Sequence, residues 1–240
     1  MMVFIGASEE CDRKAALEIA NQVREKPESI LGLATGSTPI GMYQNLVKMN
    51  HAGEVSFSKV KTFNLDEYVG IPKEHPCSYY YFMQENLFRH IDIPSDAISI
   101  PNGNAPDLEE ECISYEARIE MSAGIDLQVL GIGHNGHIGF NEPNTPFDSV
   151  THVVDLTEST IQANSRFFDS IDQVPRKALS MGIKTIMHAR KILLIAKGSD
   201  KADIIFKALN GPITPEVPAS ILQLHPNLSV YVDHAAGAKL

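Results

Sequence analysis

Apolar and polar positions follow a repeating rhythm along the chain: a short apolar run, then a longer amphipathic stretch. Val3-Phe4-Ile5 reads as a strand, and residues 9–24 carry Ala16, Ile19, Ala20 and Val23 at helical spacing. The pair recurs as a buried strand over 29–34 and a helix over 38–50 that bears Ile40, Tyr43, Leu46 and Val47. Residues 60–65 predict a third strand, 78–90 a helix, 98–100 a short strand and 107–121 another helix. The run over 125–130 is the clearest central strand, with a further strand over 152–156 and a helix over 157–168. A strand over 191–196, a helix over 199–209 and a strand over 228–233 complete the pattern. No repeat, low-complexity tract or linker breaks it, so residues 1–240 are expected to form one domain. The implied fold class is α/β: a single-domain, Rossmann-like, doubly wound and mostly parallel sheet with helices on both faces. Such sheets bind ligands beyond the carboxyl ends of their strands, where strand order reverses. The strand-to-helix loops are therefore the ones to read for chemistry.

Composition narrows the field without changing that picture. Hydrophobic residues make up 43% of the 240 positions and charged residues 21%, the usage of an ordinary globular protein. A formal net charge of −10 argues against a basic face for nucleic acid, so an anionic ligand must be held by a few local donors. Cys11, Cys77 and Cys112 are odd in number and widely spaced, which disfavours both a disulfide framework and a cysteine zinc site. No apolar run approaches the ~18 residues of a spanning helix. The start of the chain has no basic leader and runs into Glu9-Glu10-Cys11-Asp12, unlike a signal peptide. A cytoplasmic protein that does not enter membranes is expected.

Three loops carry the candidate chemistry. In Ala34-Thr35-Gly36-Ser37-Thr38-Pro39, Gly36 permits a tight turn, Ser37 or Thr38 can cap the next helix, and Pro39 suits its first turn. Free N–H groups and hydroxyls at a helix start suit a phosphate, although the same residues also make a plain helix start. Phe63-Asn64-Leu65-Asp66-Glu67-Tyr68 places two adjacent carboxylates at a strand end. Either is a candidate general base, and either can equally be a capping or surface acid.

The densest segment is Gly131-Ile132-Gly133-His134-Asn135-Gly136-His137-Ile138-Gly139-Phe140-Asn141-Glu142-Pro143. Its first three glycines match the dinucleotide fingerprint, but Gly139, Pro143 and Pro146 leave no room for the helix that fingerprint requires. His134, His137 and Glu142 lie on a glycine-rich loop rather than at helical spacing, so no metal is expected. What remains is an imidazole and a carboxylate brought close by a backbone-rich loop. His137 is the candidate acid–base group, against the plainer reading of a structural histidine.

These loops together resemble the glucosamine-6-phosphate deaminase (isomerising) family, in its short, non-allosteric form. The likeness runs from about Ser29 to the chain end through blocks at 34–39, 63–70, 101–104, 131–143, 163–169, 199–202 and 222–226. It implies conversion of glucosamine 6-phosphate and water to fructose 6-phosphate and ammonia, with a small-molecule sugar phosphate as partner and no cofactor. It also implies roles residue by residue. His137 opens the pyranose ring with Asn135 and Glu142 assisting, and Asp66 takes the C2 proton. Thr35, Gly36, Ser37 and Thr38 hold the phosphate, with Arg166 and Lys201 as cations. Position 135 is Asn where many members have Asp, so it can orient His137 but cannot supply charge, which shifts weight to Glu142.

Two rivals share the pattern. A 6-phosphogluconolactonase-like hydrolase needs no C2 base, and a non-catalytic sugar-phosphate sensor needs a DNA-binding module for which the chain has no spare segment. Longer members of the family are allosteric hexamers that hold N-acetylglucosamine 6-phosphate with basic side chains after the Asn-Glu-Pro motif and a C-terminal extension. Here no Lys or Arg lies between Arg118 and Arg166, and the sequence stops at Leu240. A monomer or small homo-oligomer without that activation is expected.

Overall fold

A computed structural model describes residues 1–165, 168 and 170–240. The first half of the chain gives β1 (Met2–Gly6), α1 (Ser8–Glu25), β2 (Ile30–Leu33), α2 (Ile40–His51), β3 (Lys61–Asn64), β4 (Asp66–Tyr68), α3 (Tyr79–Asn86), β5 (Ile98–Ser99) and α4 (Leu108–Met121). The second half gives β6 (Leu127–Leu130), β7 (His152–Asp155), α5 (Glu158–Asn164), β8 (Lys177–Ser180), α6 (Ile183–Met187), β9 (Ile192–Ala196), α7 (Ala202–Asn210) and β10 (Leu228–Asp233).

Seven strands form one sheet in the order β1-β10-β9-β6-β2-β3-β5, and every pairing in it is parallel. Its inner strands have no polar face to spare: β2, β6 and β9 are buried at every position. That is why they read as continuous apolar runs rather than alternating ones. Helices pack on both faces, as the sequence pattern requires. From β2 the chain builds outward through β3 and β5, whereas β6 returns to the other side of β2 and continues to β9 and β10. Strand order therefore reverses between β2 and β6, and the loops after these two strands open side by side at the carboxyl edge.

A second sheet, β4-β8-β7, is antiparallel. The hydrophobic pattern predicts neither β4 nor β8. Three or four residues such as Asp-Glu-Tyr and Lys-Ala-Leu-Ser carry no period of their own, and pairing alone makes them strands. This sheet has its own small core, in which Tyr68, Phe140, Val154, Leu156, Ile161 and Ala178 pack together.

Several boundaries also move. The predicted helix over 78–90 stops at Asn86, because Leu87 leaves helical geometry and a separate 3₁₀ turn follows over Phe88–His90. The helix predicted over 157–168 is α5, ending at Asn164. The helix predicted from 38 begins at Ile40, and neither Ser37 nor Thr38 caps it; Pro39 takes that position, with its carbonyl accepting from the Tyr43 amide at 2.9 Å. The Ser37 and Thr38 hydroxyls are thus not spent on the helix end. Cys11, Cys77 and Cys112 form no disulfide among the described residues.

Candidate active site

A cavity of about 690 Å³ opens at the reversal of strand order. Several distant segments build it, and four of them carry the candidate residues. The loop after β2 contributes Thr35, Gly36, Ser37 and Thr38, and β4 contributes Asp66. The loop after β6 contributes Asn135 and His137, and the turn before α7 contributes Lys201. Widely separated parts of the chain thus converge because parallel strands deliver all their C-terminal loops to one edge.

The paired acids at the end of β3 separate at once. β4 alternates its side chains, so Asp66 faces the cavity and Glu67 faces the opposite way. Glu67 accepts hydrogen bonds from the backbone N–H groups of Tyr68, Tyr79 and Tyr80, each at 2.9 Å. It meets the first amides of α3 beside the Ser78 cap, and burial pushes its pKa up against these three donors. Asp66 has no such saturation: its Oδ1 is buried and has no hydrogen-bond partner. Burial first, then the Glu67 charge, push its pKa up to about 8, against a smaller opposing pull from the Thr35 hydroxyl. A carboxyl starved of donors is a stronger base once ionised.

Across the cavity the loop over 131–143 folds back on itself. The Gly133 amide donates to the His137 carbonyl at 2.9 Å, which lays the imidazole over Gly133. A β-carbon at 133 would stand 2.3 Å from that ring, so only glycine fits. Gly139 takes φ 58°, and a β-carbon there would lie 3.0 Å from Ser180 Oγ and 3.8 Å from Asp66 Oδ2. This close approach brings the loop against β4 and β8.

His137 Nδ1 faces Glu142 Oε2 at 3.6 Å, which leaves Nε2 toward the cavity. That separation is an ion-pair distance rather than a hydrogen bond, and Nδ1 has no hydrogen-bond partner. Glu142 itself stands behind His137 and does not line the cavity. Its Oε2 accepts from Asn135 Nδ2 at 2.6 Å, and its Oε1 accepts from Thr160 Oγ1 at 2.5 Å. Burial opposes its ionisation, but contact with His137 and the Thr160 and Asn135 donors outweighs that and holds the pKa down at about 2. Asn135 also accepts from the His137 amide at 3.2 Å through its Oδ1. A carboxylate at 135 would set two acids 2.6 Å apart; the amide presents a donor there and leaves Glu142 as the single anion behind the imidazole.

The two histidines of this loop go separate ways. His134 pairs with Asp200 at 2.6 Å on the exposed rim, and among the described residues no group of His, Cys, Asp and Glu could hold a metal ion. The glycines start no helix, because the next residues form turns and a single bridge between Ile138 and Asn141.

A family model described as glucosamine-6-phosphate isomerases/6-phosphogluconolactonase matches residues 7–230. The chain belongs to that family. A glucosamine-6-phosphate deaminase of Clostridium botulinum (strain Langeland) is 56% identical over 239 residues, covering 100% of this chain and 98% of the relative. One from Clostridium novyi is 57% identical over 231 residues, covering 96% of each. A solved monomeric glucosamine-6-phosphate deaminase superposes with a TM-score of 0.98 at 47% identity, over the whole of both chains. A 6-phosphogluconolactonase from Trypanosoma brucei shares the fold, with a TM-score of 0.78, but is only 19% identical.

Of the residues the family likeness singles out, the cavity gathers Thr35, Gly36, Ser37, Thr38, Asp66, Asn135, His137 and Lys201, with Glu142 behind. Arg166 lies outside the described residues. Thr160 and the aromatic wall of Tyr68, Tyr79, Phe140 and Phe168 carry no sequence signal of function. An isolated threonine in an amphipathic stretch looks like any helix-surface residue, and the aromatics look like core.

Proposed function

We propose that this chain is a glucosamine-6-phosphate deaminase working as a cytoplasmic monomer, and that the cavity at the strand reversal is its active site. One observation carries the reading: a donor-rich loop, a donor-starved carboxyl and a carboxylate-backed imidazole share one cavity. The 6-phosphate lies on the loop over 35–38 with Lys201 beside it, which anchors the sugar at the end remote from the reacting carbons. His137 takes the proton of the C1 hydroxyl and returns one to the ring oxygen, which opens the pyranose to the aldehyde. The ionised Glu142 supports the imidazolium formed in between.

Asp66 then removes the C2 proton. The C–H electron pair forms the C1–C2 double bond, and the carbonyl oxygen takes up a proton. Return of a proton to C1 gives the C2 imine. Water adds to C2, and ammonia leaves as the ketone forms. The substrate ammonium, entering a cavity that holds Asp66, favours the ionised form of that carboxyl. A lactonase uses no carbon acid–base chemistry and would leave a buried, donor-poor Asp66 without a task.

The test is incubation with glucosamine 6-phosphate in deuterated water. Equal amounts of ammonia and fructose 6-phosphate, with deuterium at C1, are expected. Release of neither product, together with hydrolysis of 6-phosphogluconolactone, would overturn the assignment.

A further inference from the structure

Glu142 is held from two sides, and only one of them belongs to its own loop. Asn135 and His137 approach Oε2 from the loop over 131–143. Oε1 is met by α5: Thr160 Oγ1 donates to it at 2.5 Å from a buried position. Thr157 Oγ1 lies 3.0 Å from Thr160 Oγ1 and 3.4 Å from the same carboxylate oxygen. The shorter contact makes a hydroxyl relay, Thr157 to Thr160 to Glu142, in which each donor is polarised by the next. The same Thr157 side chain caps α5 by accepting from the Thr160 amide at 3.3 Å. The start of α5 and the acid–base loop are therefore one hydrogen-bonded unit.

We infer that Thr160 is a positioning residue for the acid–base pair: it fixes the rotation of the Glu142 carboxylate and keeps Oε2 turned to His137. Without the Thr160 hydroxyl, Oε1 is a buried oxygen short of its principal donor, and the carboxylate must rotate to share Asn135 or take up a proton. Either response weakens the support behind His137. The titratable group facing Glu142 is His137 on the same loop, while α5 offers it hydroxyls; Asp66 and Lys201 belong to the cavity in front of the imidazole. The catalytic part of this inference rests on the proposed function, but the positioning part does not.

The experiment compares Thr160→Val, which keeps shape and removes the donor, with Thr160→Ser, which keeps the donor. Carbon-13 NMR of the labelled glutamate side chains reads Glu142 directly, with Glu142→Gln assigning the signal. Its titration midpoint should rise by about one to two pH units in Thr160→Val, the shift that losing a hydrogen bond to a charged group brings, and return in Thr160→Ser. Ammonia release should fall roughly tenfold to a hundredfold in kcat with KM little changed, again restored by serine. An unmoved Glu142 midpoint in a folded Thr160→Val overturns the inference, as does a serine variant that fails to restore it. A Glu142 midpoint that shifts in Thr160→Val, together with a wild type that releases no ammonia, would instead sink the proposed function and leave the positioning role standing.

Discussion

Asp66 and Glu142 are both buried carboxylic acids beside one cavity, and their surroundings push them in opposite directions. Asp66 sits at the start of β4 with an orphaned oxygen and a neighbouring acid, and its pKa rises to about 8. Glu142 is less deeply removed from water and meets Thr160, Asn135 and His137, and its pKa falls to about 2. Burial pushes both upward, more strongly at Asp66; the donors and the neighbouring charge then decide the direction. Glu67, one residue from Asp66, marks the limit of that effect: three backbone amides donate to it, two of them from the start of α3, and burial still pushes its pKa up. Donors and a facing imidazole favour the carboxylate, and burial without them favours the protonated acid. Environments that drive two acids apart in this way assign their tasks.

The sharpest way to break the contrast is Asp66→Asn. Loss of a general base should lower kcat by about 10²–10⁴-fold and abolish deuterium wash-in at C1, while phosphate binding persists. A variant that still exchanges at the wild-type rate would remove Asp66 from the base role. The substitution should also change stability in a pH-dependent way. A carboxyl whose folded pKa exceeds its unfolded value of about 4 contributes stability below pH 4 that is lost as pH rises toward its folded pKa of about 8. Asp66→Asn should therefore be more stable than wild type at pH 9, by roughly 2–5 kcal/mol, with the gap closing near pH 4. Denaturant melts at the two pH values decide this. In wild type, kcat/KM should climb with pH as Asp66 ionises.

Glu142→Gln tests the other side of the comparison. It should cost about tenfold to a hundredfold on the cyclic substrate, because it removes the charge behind His137. Exchange on an open-chain analogue should suffer less, since ring opening is the step proposed for His137. Equal losses on both substrates would move the pair to a later step.

Lys201→Ala should act on binding alone. Its KM should rise roughly tenfold to a hundredfold with a smaller change in kcat, as expected for a contact made equally in ground and transition states. An unchanged KM would place the phosphate elsewhere.

The smallest expected effect is none. N-acetylglucosamine 6-phosphate should leave the rate curve hyperbolic and unaltered, because the stretch over 147–156 offers a phosphate dianion no Lys or Arg. Sigmoidal rates that this compound makes hyperbolic would overturn that expectation.

By itself the sequence determined the layered α/β plan. Strands buried on both faces and helices with one apolar face print their periods directly onto the chain, as in β2, β6 and α1. It also marked the three loops, because glycine, proline and paired acids are chemically conspicuous, and the family likeness gave those residues roles. The family likeness pointed to Asp66 over Glu67, but the physical difference between them lies in the alternation of β4, and β4 exists only through its pairing with β8. The burial of Asp66, the seating of the His137 ring on Gly133 and the Thr160 contact with Glu142 join residues that no local pattern connects. Periodicity reports which side of an element faces the core, and a pKa depends on the few donors within hydrogen-bond reach. Those donors come from segments that meet only when the sheet delivers its loops to one edge, so the tertiary structure alone decided why the Asp66 carboxyl favours its proton and Glu142 its charge.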